Sequence, residues 1–138
     1  MELVPLCTLE ASLGGLHLIG NGPAGSRTIA EVTGGTMTGE RVNGTVKGNA
    51  AADWMLTDAN GIATLDVRVV VETDDGALIY ITYEGRADWA EGPGTKPIYM
   101  APKFETSDER YTWLNSIQAV GKGQLGRGTV SYEIAEVR

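Results

Sequence analysis

Two long runs of the chain, Ile62 to Glu72 and Leu78 to Gly85, alternate apolar and polar side chains with a period of two. That period is the mark of a strand with one face buried. Between them lies Thr73-Asp74-Asp75-Gly76-Ala77. Asp-Asp-Gly suits a three-residue hairpin loop, a type I turn closed by glycine in the left-handed region. Such a loop pairs Thr73 with Ala77 and fixes everything outward from it. Val71 then faces Ile79, Val69 faces Ile81 and Val67 faces Tyr83, all on one aliphatic face. The opposite face carries Glu72 with Leu78, Val70 with Tyr80, Arg68 with Thr82, and Asp66 with Glu84. A two-residue loop would mix the faces, because a slip of one residue exchanges them.

The same reading places short strands along the rest of the chain. Residues 3–10 and 15–19 are apolar and separated by a turn at Ser12-Leu13-Gly14-Gly15. A glycine-rich loop, Gly20 to Arg27, precedes a strand from Thr28 to Val32 that ends at Gly34-Gly35. Thr36 to Val42 and Thr45 to Lys47 flank Asn43-Gly44, a strong hairpin signal. Asp53-Trp54-Met55-Leu56 leads into a turn at Asp58-Ala59-Asn60-Gly61. Residues 86–97 form a loop. Ile98 to Phe104 is interrupted by Pro102, as in an edge or bulged strand. Thr106-Ser107-Asp108-Glu109 has the form of a capping box and predicts a short helix near residues 107–118. A glycine-rich loop at 121–128 and a strand from Thr129 to Val137 complete the chain.

About nine strands and one helix, with no βαβ alternation and no 20–50-residue repeat, predict an all-β fold. An antiparallel barrel or sandwich remains, and closure removes exposed strand edges, so the expected architecture is one antiparallel β-barrel of 8–10 strands spanning residues 1–138. The 138 residues are the size of one ordinary domain, and nineteen glycines spread along the chain suit many tight turns.

Charge narrows the partners. A formal net charge of −7 argues against nucleic acid, which needs a basic stripe, and against an anionic membrane surface. A small organic molecule is the expected partner, and a homo-oligomer is compatible with the sequence. The N-terminus lacks a basic region followed by an apolar stretch, so no signal peptide is expected. The expected location is a reducing cytoplasm. Cys7, in a strand-like apolar run, reads as a structural thiol. With one Cys and one His, a metal site would have to be built from carboxylates, and no Asp/Glu loop of EF-hand type appears. The chemistry is expected to need neither cofactor nor metal.

Gly20-Asn21-Gly22-Pro23-Ala24-Gly25 superficially matches a dinucleotide loop, but proline sits inside it and β-rich sequence follows, where a helix N-terminus is required. A tight loop at a barrel rim is the better reading. Asp66 and Arg68 share a strand face, with Tyr80 and Glu84 on the neighbouring strand. If that face lines the barrel, a carboxylate can move a proton, Arg68 can hold a carboxylate or enolate, and Tyr80 can donate to a developing oxyanion. These four are the catalytic candidates. If the face meets solvent, they are ordinary cross-strand pairs. His17, flanked by Leu16 and Leu18 on the opposite face, is a base or a structural histidine. With Arg27, Asp53, Trp54, Tyr99 and Trp113 it makes up the candidate binding set, the aromatics serving as core or as walls for a flat ligand.

Several motifs, taken in order, resemble one family. Gly20-x-Gly22-Pro23-x-Gly25-x-Arg27, Gly34-Gly35, Asp53-Trp54, Leu65-Asp66-x-Arg68, Thr73-Asp74-Asp75-Gly76 and Tyr111-x-Trp113-Leu114-Asn115 together resemble the DUF3237 family, also called UPF0311. The resemblance implies a small bacterial-type β-barrel and no settled activity. A departure is Asn49-Ala50-Ala51-Ala52 before Asp53-Trp54, where a proline- or glycine-rich turn is expected.

Two functions remain. One is a cofactor-independent enzyme of the isomerase, cyclase, lyase or hydratase type, with the Asp66–Arg68 face lining the lumen, and this is the expectation taken forward. The other is a non-catalytic binding or assembly domain, with that face on the surface. Fold alone supports neither.

Overall fold

A computed structural model describes residues 1–138. Ten strands are present: β1 (Leu3–Gly22), β2 (Gly25–Thr38), β3 (Gly44–Val46), β4 (Ala52–Thr57), β5 (Ile62–Thr73), β6 (Leu78–Asp88), β7 (Ile98–Met100), β8 (Lys103–Glu105), β9 (Ala119–Leu125) and β10 (Thr129–Val137). All pairings are antiparallel, and they close on themselves. β1 joins β2, β2 joins β3 and β4, these join β5, and β5 joins β6; β6 joins β7, and β7, β9 and β10 lead back to β1. The result is the predicted β-barrel. No helix is long and apolar enough to cross a membrane.

The hairpin of β5 and β6 has the register read from its loop. Glu72 pairs with Leu78, Val71 with Ile79, Val67 with Tyr83 and Asp66 with Glu84. The Thr73 amide donates to the Ala77 carbonyl at 2.8 Å, and Gly76 takes φ +92°, a conformation costly to any residue with a Cβ.

Elsewhere the elements differ from the sequence reading for local reasons. Ser12 to Gly15 is not a turn. β1 runs through it, and the register with β2 slips between Ser12 and Leu16. The extra residues make a bulge, which bends a strand without ending it. The chain reverses at Pro23-Ala24 instead, so most of the expected glycine-rich loop is strand. β2 likewise continues through Gly34-Gly35. Asn43 does not form a two-residue hairpin turn. Its side chain accepts from the Gly39 amide at 3.1 Å and donates to the Gly39 carbonyl at 2.8 Å, rounding off a wider loop. Residues 121–125, expected as loop, belong to β9.

The expected helix is one 3₁₀ turn, Thr112–Ser116. Thr106 keeps a cap-like contact, its hydroxyl accepting the Asp108 amide at 3.2 Å while donating to the Leu78 carbonyl at 2.8 Å, but no helix follows it. Asn115 then ties back to the Thr106 amide and carbonyl, each at 2.9 Å. This segment folds across one end of the barrel. The 73–77 hairpin lies at the same end, where Tyr111 donates to the Asp75 carboxylate at 2.9 Å.

The two ends are thereby unlike. At the closed end Val69, Val71, Ile79, Ile81, Phe104 and Leu114 are buried, branched or aromatic, and packed together. The opposite, open end is formed by the turns at 23–24, 58–61 and 126–128 and the 89–97 loop. Its inward positions are smaller or wetter: Ser26, Thr28, Ala30, Ala63 and Ala87.

Candidate active site in the barrel lumen

Which face looks inward follows from burial along β5, where Ala63, Leu65, Val67, Val69 and Val71 are buried. The aliphatic face is therefore the interior. Asp66, Arg68, Tyr80 and Glu84 stand on the outer face, contrary to the expectation that they line the lumen. Five buried aliphatics gain more from leaving water than a polar face could, and period-two geometry then sends Asp66 and Arg68 outward. The four are nevertheless brought together. With Thr82 and Lys103 they line an outer groove of about 570 Å³. The Arg68 guanidinium lies 5.6 Å from the centre of the Trp54 ring.

The same logic locates an interior group. Directly opposed residues of an antiparallel ladder share a face. Leu16 opposes Ala30, Ala30 opposes Asp53, Asp53 opposes Val67, and Val67 opposes Tyr83. Since Val67 is buried, this whole row faces the lumen. A second row, Leu18–Thr28–Met55, lies nearer the open end. Leu16 and Leu18 are 60% and 77% exposed although they face inward, so the inward side of the β1–β2 hairpin meets solvent beyond the β10 pairing.

Asp53 stands in this row as the one ionisable carboxylate, partly exposed at the open side. Its Oδ1 accepts the Asp66 backbone amide at 3.1 Å, and the β4–β5 pairing resumes at Leu56 opposite Thr64. A barrel wall thus spends a ladder donor on holding a side chain. Burial pushes the Asp53 carboxyl up to about 6, against the lowering effect of that amide, and the nearby Asp66 charge adds to the rise.

Tyr83 and Tyr132 complete the group. They come from β6 and β10, which are not neighbours, and their rings meet across the lumen edge to face at 5.4 Å and 69°. Burial holds both phenols above their ordinary ionisation range, and the Asp53 carboxylate raises both further. Both stay protonated at neutral pH. Gly123 makes room for one of them, since a Cβ there would overlap the Tyr132 ring. A carboxyl raised towards neutrality and two phenols that stay protonated therefore lie close enough inside the barrel for the charge of the one to act on the others.

Of the proposed binding residues, only Asp53 faces the lumen. His17 is on the outer face, its Nε2 2.9 Å from Glu31 Oε2, with both side chains more than half exposed. Arg27 donates to the Trp54 carbonyl at 2.9 Å. Trp54 and Tyr99 are on the outside. Trp113 sits at the closed end with the Arg41 guanidinium stacked 4.4 Å from its ring centre. Cys7 is buried, and desolvation lifts its thiol to about 12. Tyr83 and Tyr132 were missed because each interrupts an aliphatic alternation and so reads as core. The available signal was glycine in β9 opposite Tyr132.

The family model described as a protein of unknown function, DUF3237, matches residues 1–137. The chain belongs to the DUF3237 family. Among its relatives, the UPF0311 protein RPA1785 of Rhodopseudomonas palustris is 28% identical, over 99% of this chain and 97% of that one. The hydroalkoxylation enzyme phnH of Penicillium herquei is 30% identical, over 84% of this chain and 70% of its own length. Among solved structures, a beta-barrel like protein from Acinetobacter baumannii AYE superposes with a TM-score of 0.89 at 32% identity, covering 99% and 96% of the two chains. An enzyme from Penicillium herquei superposes with a TM-score of 0.77 at 25% identity, covering 99% and 94%.

Proposed function

We propose that this DUF3237 protein is a cofactor-independent enzyme that performs acid–base chemistry on a small organic molecule in the open half of its barrel. The observation that carries the reading is the convergence of Asp53, Tyr83 and Tyr132 on one interior site, with the carboxyl poised at about 6. The hydroalkoxylation enzyme among the relatives supports a specific class, addition of an O–H across a carbon–carbon double bond.

In that reaction Asp53 accepts the proton of the attacking hydroxyl as its oxygen bonds to the alkene carbon. If the alkene is conjugated to a carbonyl, the electron pair moves onto the carbonyl oxygen, where Tyr83 and Tyr132 donate hydrogen bonds. Collapse of that enolate takes the proton back from Asp53 onto the adjacent carbon. Nothing is oxidised or reduced, and the product is an isomer when the hydroxyl belongs to the same molecule. Leu16, Leu18 and Met55 supply apolar wall.

The test is incubation in D₂O with a panel of hydroxylated enones, reading ring closure by chromatography and deuterium at the new C–H by mass spectrometry. The reading expects turnover that falls at least a hundredfold in Asp53→Asn. Undiminished turnover in that variant would move the chemistry out of the lumen.

A further inference from the structure

One long strand edge of the barrel is left unpaired. β10 accompanies β1 from Leu3 only as far as Ser12, which opposes Thr129, and the Leu13 amide then donates to the Gly128 carbonyl at 2.8 Å. From Gly14 to Gly22, β1 has β2 on one side and no strand on the other. The backbone amides and carbonyls that point away from β2 there have no backbone partner in the chain.

An open edge normally carries lysine, proline or an inward charge that keeps other strands off. Leu13 to Gly22 carries none of these. Residues 11–26 are the longest stretch of the chain without Asp, Glu, Lys or Arg, in a chain of net charge −7. Leu16, Leu18 and Ile19 stand 60%, 77% and 65% exposed along it. The register slips against β2 fall on either side of Leu16-His17-Leu18, so the regular stretch is centred on His17.

We propose that this edge docks a second copy of the chain, the two β1 strands pairing antiparallel about a two-fold axis at His17. An edge paired antiparallel with itself is self-complementary, as a two-fold interface requires. Leu16 of each copy then opposes Leu18 of the other on the shared inward face, so four leucines leave water together. Two acidic chains repel one another over most of their surface, and here they meet where neither carries a charge. The other strand with a neighbour on one side only, β8, has three residues and is too short to take the edge instead. The proposal stands whatever chemistry the lumen performs. In a separated copy Leu18 is a wet side chain, so its loss is felt by association rather than by the fold.

The test is sedimentation velocity of the full chain over a concentration series, with hydrogen exchange on the same samples. The expected result is a mass of two copies at high concentration, with edge amides of residues 14–22 slowing about tenfold or more as the dimer forms. Leu18→Lys should leave a single copy with unchanged circular dichroism, since a lysine on an open edge blocks pairing. His17→Cys should cross-link to its own mate on mild oxidation, because directly opposed Cα atoms lie about 5 Å apart, within disulfide reach. The native Cys7 is buried and does not compete. A single-copy mass at every concentration overturns the proposal, as does a dimer whose residues 14–22 exchange freely. So does a dimer that survives Leu18→Lys and leaves His17→Cys without a cross-link, which puts the contact elsewhere. Slow exchange of the edge in the single copy overturns it too, because the chain would then cover its own edge. The exchange measurement needs no variant and decides the matter even if Leu18→Lys fails to fold.

Discussion

The two halves of the barrel use the same strands to opposite ends. In the closed half, inward positions hold Val69, Val71, Ile79 and Ile81, and the one inward acid, Glu136, is neutralised by Arg138 and Arg41, which hold its carboxyl below the usual range. In the open half, inward positions mix Ala30, Ala63 and Ala87 with Leu16, Leu18 and Met55, and the inward acid, Asp53, has no cation and is raised to about 6. A buried carboxylate with guanidinium partners is a structural element; one without them is a proton acceptor near neutrality. The barrel thus stabilises one inward acid with cations and leaves the other without one.

The largest effect should come from emptying the closed half. Ile81→Ala is expected to lower stability by about 3 kcal/mol, because the cavity left among packed neighbours cannot collapse. Leu18→Ala, inward but wet, should cost under about 1 kcal/mol. Urea denaturation of both variants checks the contrast, and equal losses would erase the division.

Next comes pH. The folded carboxyl of Asp53 is raised above its unfolded value, so folding takes up a proton. The protein should be most stable below the unfolded pKa and lose that increment as pH rises through about 6. The expected loss is about 2 kcal/mol across this window, read as the change in denaturation midpoint between pH 4 and 7. Asp53→Asn should flatten that component while leaving the opposite, acid-side contribution of Glu136, whose lowered carboxyl stabilises only where it is ionised.

Gly123→Ala probes the join between the halves. The added methyl should displace the Tyr132 ring and cost about 1–3 kcal/mol. It should also shift the ultraviolet titration of the buried phenols, which a loss of stability alone would not do.

The smallest effect is expected at the outer groove. Arg68→Ala should change stability by no more than about 0.5 kcal/mol and leave turnover intact. If turnover collapses instead, the chemistry lies with Asp66, Arg68, Tyr80 and Glu84 after all, and the open lumen is only a wet end of the core.

The sequence by itself determined a good deal of this protein. Alternation and the Asp-Asp-Gly loop set the β5–β6 register to the residue, because side chains alternate faces with a fixed period and the loop length leaves one phase. The count of strands and the lack of βαβ alternation pointed to an all-β fold. Local cues erred where a distant partner competed. Asn115 took the Thr106 carbonyl that a helix would have used, and β2 held β1 in line through Gly14-Gly15. What only the tertiary structure decided was which face turned inward and which residues met there. Asp53, Tyr83 and Tyr132 lie far apart in the chain on non-adjacent strands, and their meeting depends on ring closure. Alternation is a local property and reports that two faces differ. The burial that raises the Asp53 carboxyl is created by the other strands, and no local pattern contains it.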